Sequence, residues 1–125
     1  MPPKQQADET LDQGVIETFR QIDAPGRPDF LLSLIDLFIE EAASQIEVLR
    51  SAEQRLDVGA LKATAHSLKG SSMTMGAKRL ARLCERMEGS AGDAAVTSDL
   101  LTEFDCEFVS VRSALNAERP AGSQR

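Results

Sequence analysis

Apolar residues recur at three- and four-residue spacings in five segments of the chain, the repeat of one face of an α-helix. No stretch sustains a period-two alternation, so no strand is expected. The first segment, Leu11 to Ile22, places Leu11, Val15, Phe19 and Ile22 on one face. Asp23-Ala24-Pro25-Gly26-Arg27-Pro28 breaks the pattern, and Pro28 suits the first turn of the next helix. That second helix is long, Pro28 to Leu56, with Leu31, Leu34 or Ile35, Phe38, Ala42, Ile46 and Leu49 along its core stripe. Phe30, Leu32 and Ile39 exceed what one stripe requires. The N-terminal half of this helix is therefore either central in a bundle or turned toward a partner.

Asp57 is a good N-cap for a third helix, Val58 to Met75, and Gly76 supplies its stop. The fourth runs from Ala77 to Glu88, with Leu80, Leu83, Cys84 and Met87 inward, the arginines outward and Gly89 at its end. Asp93 opens another cap region, and the fifth helix, Thr97 to Ala117, carries Leu101, Phe104, Phe108, Val111 and Leu115 at three-four spacing. Short connections favour antiparallel neighbours. The expected fold is all-α: an up-and-down antiparallel four-helix bundle with an additional short N-terminal helix. Residues 10–117 form the bundle, and the polar segments 1–9 and 118–125 are read as disordered tails.

Composition narrows the class. At 125 residues and 42% hydrophobic the chain can bury one core, built without Trp or Tyr. No apolar run approaches the length of a membrane span, and the N-terminus lacks the apolar stretch of a secretory signal. Cys84 and Cys106 are too few for a disulfide framework and lack metal-ligand spacing, so both are read as buried free thiols in a reducing cytoplasm, with a Cys84–Cys106 bridge as the less favoured alternative. The net charge is −6. Yet residues 60–87 hold Lys62, Lys69, Lys78, Arg79, Arg82 and Arg86 against Glu85 alone, a local +5 that leaves −11 elsewhere. Such asymmetry points to a local anionic partner or ligand. Nucleic acid is not expected, because the total is acidic and no aromatic residue accompanies the arginines.

The single histidine, His66, carries the candidate chemistry. On the third helix Leu61, Ala65, Leu68, Ser72 and Met75 form the apolar or small stripe, and His66 lies about 140° away from Leu61. Lys62, Lys69 and Gly70 are its surface neighbours. One histidine without partners at ligand spacing makes no metal site. Ser67 adjoins it but faces another way, so a Ser-His-acid triad is poor. General acid–base work would need a concave pocket, whereas this position is on the convex outside of a bundle. Nucleophilic attack on a phosphoryl group fits better. An ordinary imidazole titrates near 6.5 and is mostly neutral at pH 7, with a ring nitrogen free to attack. Lys69 can pair with phosphoryl oxygens, Lys62 adds to the field, and Gly70 removes bulk where a partner must approach. Glycine inside a helix costs about 1 kcal/mol relative to alanine, so its presence asks for a reason.

Ala65-His66-Ser67-Leu68-Lys69-Gly70-Ser71-Ser72, then Gly76-Ala77, Leu80, Leu83-Cys84 and Met87-Glu88, resembles the histidine-containing phosphotransfer (HPt) domain of multistep phosphorelays. Phe38-Ile39-Glu40-Glu41 is similar to the family's phenylalanine-acidic segment. The resemblance implies that His66 takes a phosphoryl group from a phosphoaspartate on the receiver domain of a hybrid histidine kinase and passes it to a response regulator's aspartate. It implies that Lys69 steadies the phosphoryl oxygens and that Gly70 clears room for docking. Lys62, Ser67 and Met73 are secondary candidates, and Val15, Ile16, Phe19, Phe30, Leu31 and Leu34 are candidates for an apolar docking patch. No ATP-dependent kinase activity and no bound cofactor or metal are expected in this chain; Mg²⁺ belongs to the receiver. A cytoplasmic monomer is expected. Some family members carry an amide on the following helix near the histidine; here Glu88, an acid, stands at the comparable place and is given no role. Two other readings are a phospho-acceptor domain of a chemotaxis-type histidine kinase, and a non-catalytic helical adaptor.

Overall fold

The structure, a computed structural model, describes residues 10–22 and 29–119. Among the described residues five helices follow one another: α1 (Gln13–Ile22), α2 (Asp29–Gln54), α3 (Val58–Met75), α4 (Lys78–Ser90) and α5 (Ala94–Ala117). Among the described residues there is no strand, and no helix is long and apolar enough to cross a membrane. Helix α2 packs on α3 and α5, and α4 packs on the same two, which closes a ring of four. Helix α1 lies against α2 and α3. The connections within the ring, 55–57, 76–77 and 91–93, are too short for anything but antiparallel neighbours.

Local signals fix α3 at both ends. Asp57 Oδ1 accepts the Ala60 N–H at 3.0 Å, satisfying one of the donors a helix start leaves unpaired. Gly76 stops the helix at φ +79°, and the Ala77 N–H reaches back to the Ser72 carbonyl at 2.8 Å. A side chain at Gly76 would be excluded twice, by that φ and by Asp12, whose Cβ and N lie 3.0 and 3.2 Å from the Cβ position. The Asp12 N–H donates to the Gly76 carbonyl at 2.8 Å, so α1 is pinned to the α3–α4 turn at its very start.

Other bounds differ from the sequence reading. Leu11 precedes α1 rather than opening it, yet is 1% exposed and seals the core. Pro28 lies outside the described residues, as do 1–9 and 120–125. Helix α4 runs through Gly89 to Ser90, because Ala91 beyond it is buried and this packing outweighs the roughly 1 kcal/mol penalty of one glycine. Helix α5 begins at Ala94, three residues earlier than its apolar pattern, because Asp93 Oδ1 caps the Val96 N–H at 3.2 Å. Glu118 and Arg119 are engaged rather than loose: Glu118 pairs with Arg20 of α1, and Arg119 reaches Asp36 of α2 at 2.7 Å.

The core is aliphatic, with Phe38, Phe104 and Phe108 as its aromatic members. Ile35, not Leu34, is its residue at that turn of α2, and Ile16 and Leu31 are fully buried. Cys84 is buried as expected, but Cys106 is exposed. On α5 it is about 200° from the inward Phe104, which turns it to solvent.

Candidate functional site

Helix α3 turns two unlike edges away from the core. Toward α4 stand Lys62 and Lys69; toward α2 stand Ser67, Ser71 and Thr74, with His66, Gly70 and Met73 between them. Ser67 Oγ accepts from Gln45 Nε2 of α2 at 2.9 Å, so this serine ties two helices and does not serve the imidazole. His66 is open: its side chain is 72% exposed. Nothing lies within 4 Å of where a Cβ on Gly70 would sit, so close helix packing does not explain the glycine. Met73, two turns beyond His66, is 62% exposed. Lys62 is exposed and forms no ion pair among the described residues.

Glu88 completes the arrangement from α4. Its Oε2 lies 3.0 Å from His66 Nδ1, and its Oε1 lies 3.1 Å from Lys69 Nζ. The Lys69 hydrogen bond first, and then the His66 one, hold the Glu88 carboxyl below the usual carboxylate range. A carboxylate only accepts, so a neutral ring facing it carries its proton on Nδ1. That leaves Nε2 with its lone pair and with no partner among the described residues. Burial pushes the neighbouring Cys84 thiol up to about 12, which removes it as a nucleophile at neutral pH.

Sequence reasoning stopped at Glu88. As an acid where some relatives carry an amide it was given no role, and only the packing of α4 against α3 reveals that Lys69 offsets its charge. The signal available was its place one turn after Cys84, on the edge of the buried face of α4.

The apolar residues sort themselves into two groups. Ile16 and Leu31 are core residues and leave the candidate docking patch, since neither offers any surface. Val15, Phe19 and Leu34 are half-buried, and Phe30 is 40% exposed with its ring 6.1 Å from that of Phe19, edge to face. Leu37, absent from the sequence reading, is 53% exposed and follows Phe30 and Leu34 along a second stripe of α2. Leu34, Leu37, Ser71 and Thr74 line a cleft of about 160 Å³ on the α2 side of the histidine.

The basic stretch is partly answered within the molecule. Arg79 pairs with Glu107 at 3.2 Å and Arg86 with Glu103 at 3.3 Å, both on α5. The arginines of α4 that the sequence placed outward are thus turned largely to the chain's own acidic helix.

Comparison with known proteins identifies the family. The Hpt domain profile matches residues 33–118. Histidine-containing phosphotransfer protein 2 of Arabidopsis thaliana is 34% identical over 103 residues, covering 77% of this chain and 65% of that protein. Multistep phosphorelay regulator 1 of Schizosaccharomyces pombe is 28% identical over 78 residues, covering 62% of this chain and 26% of the relative. The chain therefore spans between about a quarter and two thirds of these relatives' lengths. The crystal structure of histidine-containing phosphotransfer protein B (HptB) from Pseudomonas aeruginosa superposes with a TM-score of 0.78 at 31% identity, covering 88% of this chain and 94% of that one. The five-helix fold and the profile match across most of the chain lead to one assignment: this chain belongs to the Hpt domain family, the histidine-containing phosphotransfer domains of two-component phosphorelays.

Proposed function

We propose that this chain carries a phosphoryl group on His66 between receiver domains, from a phosphoaspartate on one to an aspartate on another. The observation that supports it most is the exposed imidazole whose Nδ1 faces Glu88, leaving Nε2 as the nucleophile. Nε2 attacks phosphorus, the N–P bond forms, and the P–O bond to the aspartyl carboxyl breaks with its electron pair leaving on that carboxylate. Nδ1 keeps its proton throughout. The ring therefore gains positive charge as the N–P bond forms, and the Nδ1–H···Glu88 bond strengthens as it does so. Delivery to the second aspartate is the same step reversed.

Lys69 supports the phosphoryl oxygens. An ammonium has three donors, so Nζ can keep Glu88 and still reach an incoming oxygen. Gly70 leaves space for the partner's backbone, and Lys62 adds long-range attraction. The docking patch comprises Phe30, Leu34 and Leu37 of α2 with Met73 of α3, flanked by Val15 and Phe19; Mg²⁺ comes with the receiver. A cytoplasmic monomer suits an open transfer site that must meet two partners in turn.

The test is intact-mass analysis after mixing with a phosphorylated receiver domain and Mg²⁺, wild type beside His66→Gln. An acid-labile, base-stable gain of one phosphoryl group in the wild type alone is expected. Equal labelling of the His66→Gln protein would remove the histidine from the role.

A further inference from the structure

A groove of about 350 Å³ between α3 and α4 opens at Lys69 and is lined by Lys69, Met73, Lys78, Ala81, Arg82 and Glu85. It continues the transfer site directly, since Lys69 already contacts the carboxylate that holds His66. Three cations face one acid in it. Lys78 is held by Asp12 at 3.2 Å, but Arg82 is exposed and makes no hydrogen bond or ion pair among the described residues. Met73 adds a bare apolar side chain to the same rim.

Arg82 also borders the larger groove of about 420 Å³ between α4 and α5, but there Glu107 and Glu103 hold the other two arginines, Arg79 and Arg86, and neither His66 nor Lys69 lines it. In the α3–α4 groove Glu88 holds Lys69 and Asp12 holds Lys78, which leaves Arg82, beside the transfer site, as its open cation among the described residues.

We propose that this groove is a selective arm of the docking surface: it seats an acidic, carboxylate-bearing segment of the receiver domain, with Arg82 as the charge contact and Met73 as the apolar one. The inference rests on the phosphotransfer reading above and names the partner chemistry it requires. A donor that presents an aspartyl phosphate with Mg²⁺ holds the ion through carboxylates, so its face near the phosphoryl group is acidic. The remainder of this chain is acidic and repels such a face, whereas the α3–α4 rim attracts it. A rim charge of this kind acts on encounter rate and partner choice more than on the chemical step.

The experiment uses a panel of receiver domains loaded with acetyl phosphate, and follows transfer to the full chain from the receiver that the wild type accepts fastest. Arg82→Ala, Arg82→Glu and Met73→Ala are compared with wild type at several salt concentrations, with Arg55→Ala, on the distant α2–α3 turn, as control. Arg82→Ala is expected to raise KM about threefold to fivefold, and Arg82→Glu about tenfold, with kcat within a factor of two. Salt should weaken wild-type transfer more than that of Arg82→Ala. Met73→Ala should raise KM without changing the salt dependence. Unchanged KM and salt dependence in Arg82→Glu, beside active wild type, would overturn the groove alone. Absence of transfer to wild type from every receiver would overturn the phosphotransfer reading, and this inference with it.

Discussion

Glu88 reaches from α4 to both His66 and Lys69, and the two contacts use its carboxylate differently. The bond to Nδ1 sets the tautomer and meets the positive charge that grows on the ring; the bond to Nζ keeps an ammonium close to the same ring. Glutamine preserves an acceptor for Nδ1–H but no charge. Glu88→Gln is therefore expected to slow phosphoryl transfer at saturating receiver about fivefold to tenfold, the difference between a charged and a neutral acceptor. Glu88→Ala should fall further, because orientation is lost too, and partial rescue by glutamine separates positioning from simple loss of structure. Gly70 makes the opposite kind of test. Alanine there meets nothing within 4 Å, so Gly70→Ala should stabilise α3 by about 1 kcal/mol and raise Tm by about 3–5 °C, while slowing transfer. Gly89→Ala, equally unhindered on α4, should raise Tm with transfer unchanged. A Gly70→Ala protein that transfers at the wild-type rate would remove the steric argument. The resemblance set Glu88 near His66, but that its carboxylate spans both Nδ1 and Nζ was not legible in the sequence, because this depends on how far α4 sits from α3. The exposure of His66 and the freedom around Gly70 were legible, since both follow from angle along a single helix.

Helix ends divide into those written locally and those decided by packing. Asp57, Gly76 and Asp93 each carry their own cap, so α3 was readable to the residue from sequence, and the start of α5 only once its cap was given more weight than its apolar pattern. The end of α4 was not readable, because a glycine marks a helix stop only where nothing beyond it packs, and Ala91 does. The same limit applies to α2, where Leu34 and Ile35 are equally apolar and only the facing helices select Ile35 for the core. Two residues with left-handed backbone give a prediction of opposite signs. Leu56, in the α2–α3 turn, has φ 57° and is 72% exposed, so its side chain brings strain and little burial. Leu56→Gly should stabilise the protein by about 0.5–1 kcal/mol, the relief of an L side chain at positive φ less the entropy glycine adds to the unfolded chain. Gly76→Ala should destabilise it by about 1–3 kcal/mol, because strain at φ +79° adds to collision with Asp12. Urea midpoints of the two variants check both signs, and equal shifts in one direction would refute the account.

Three junctions of the molecule depend on carboxylates held below their usual range. The hydrogen bond from Lys78 lowers Asp12 where α1 meets the α3–α4 turn; the Ala60 N–H lowers Asp57 at the α2–α3 turn; Lys69 lowers Glu88 where α4 meets α3. Each is a depressed acid in the folded state, so the folded protein binds fewer protons than the unfolded chain in the acid range. Their contribution to stability is complete above the ordinary values of 3.8 for aspartate and 4.5 for glutamate, and it is lost as pH falls through the lowered folded values. The urea midpoint is therefore expected to fall between about pH 5 and pH 2. All three groups are open to water, which screens them, so the slope belongs to the set rather than to any one of them. The triple variant Asp12→Asn, Asp57→Asn, Glu88→Gln should be less stable than wild type at neutral pH and should lose less on acidification, so that the two curves converge. Asparagine keeps the cap at 57, which confines the change there to charge. Parallel curves for wild type and triple variant across that range would mean that other carboxylates govern the acid response.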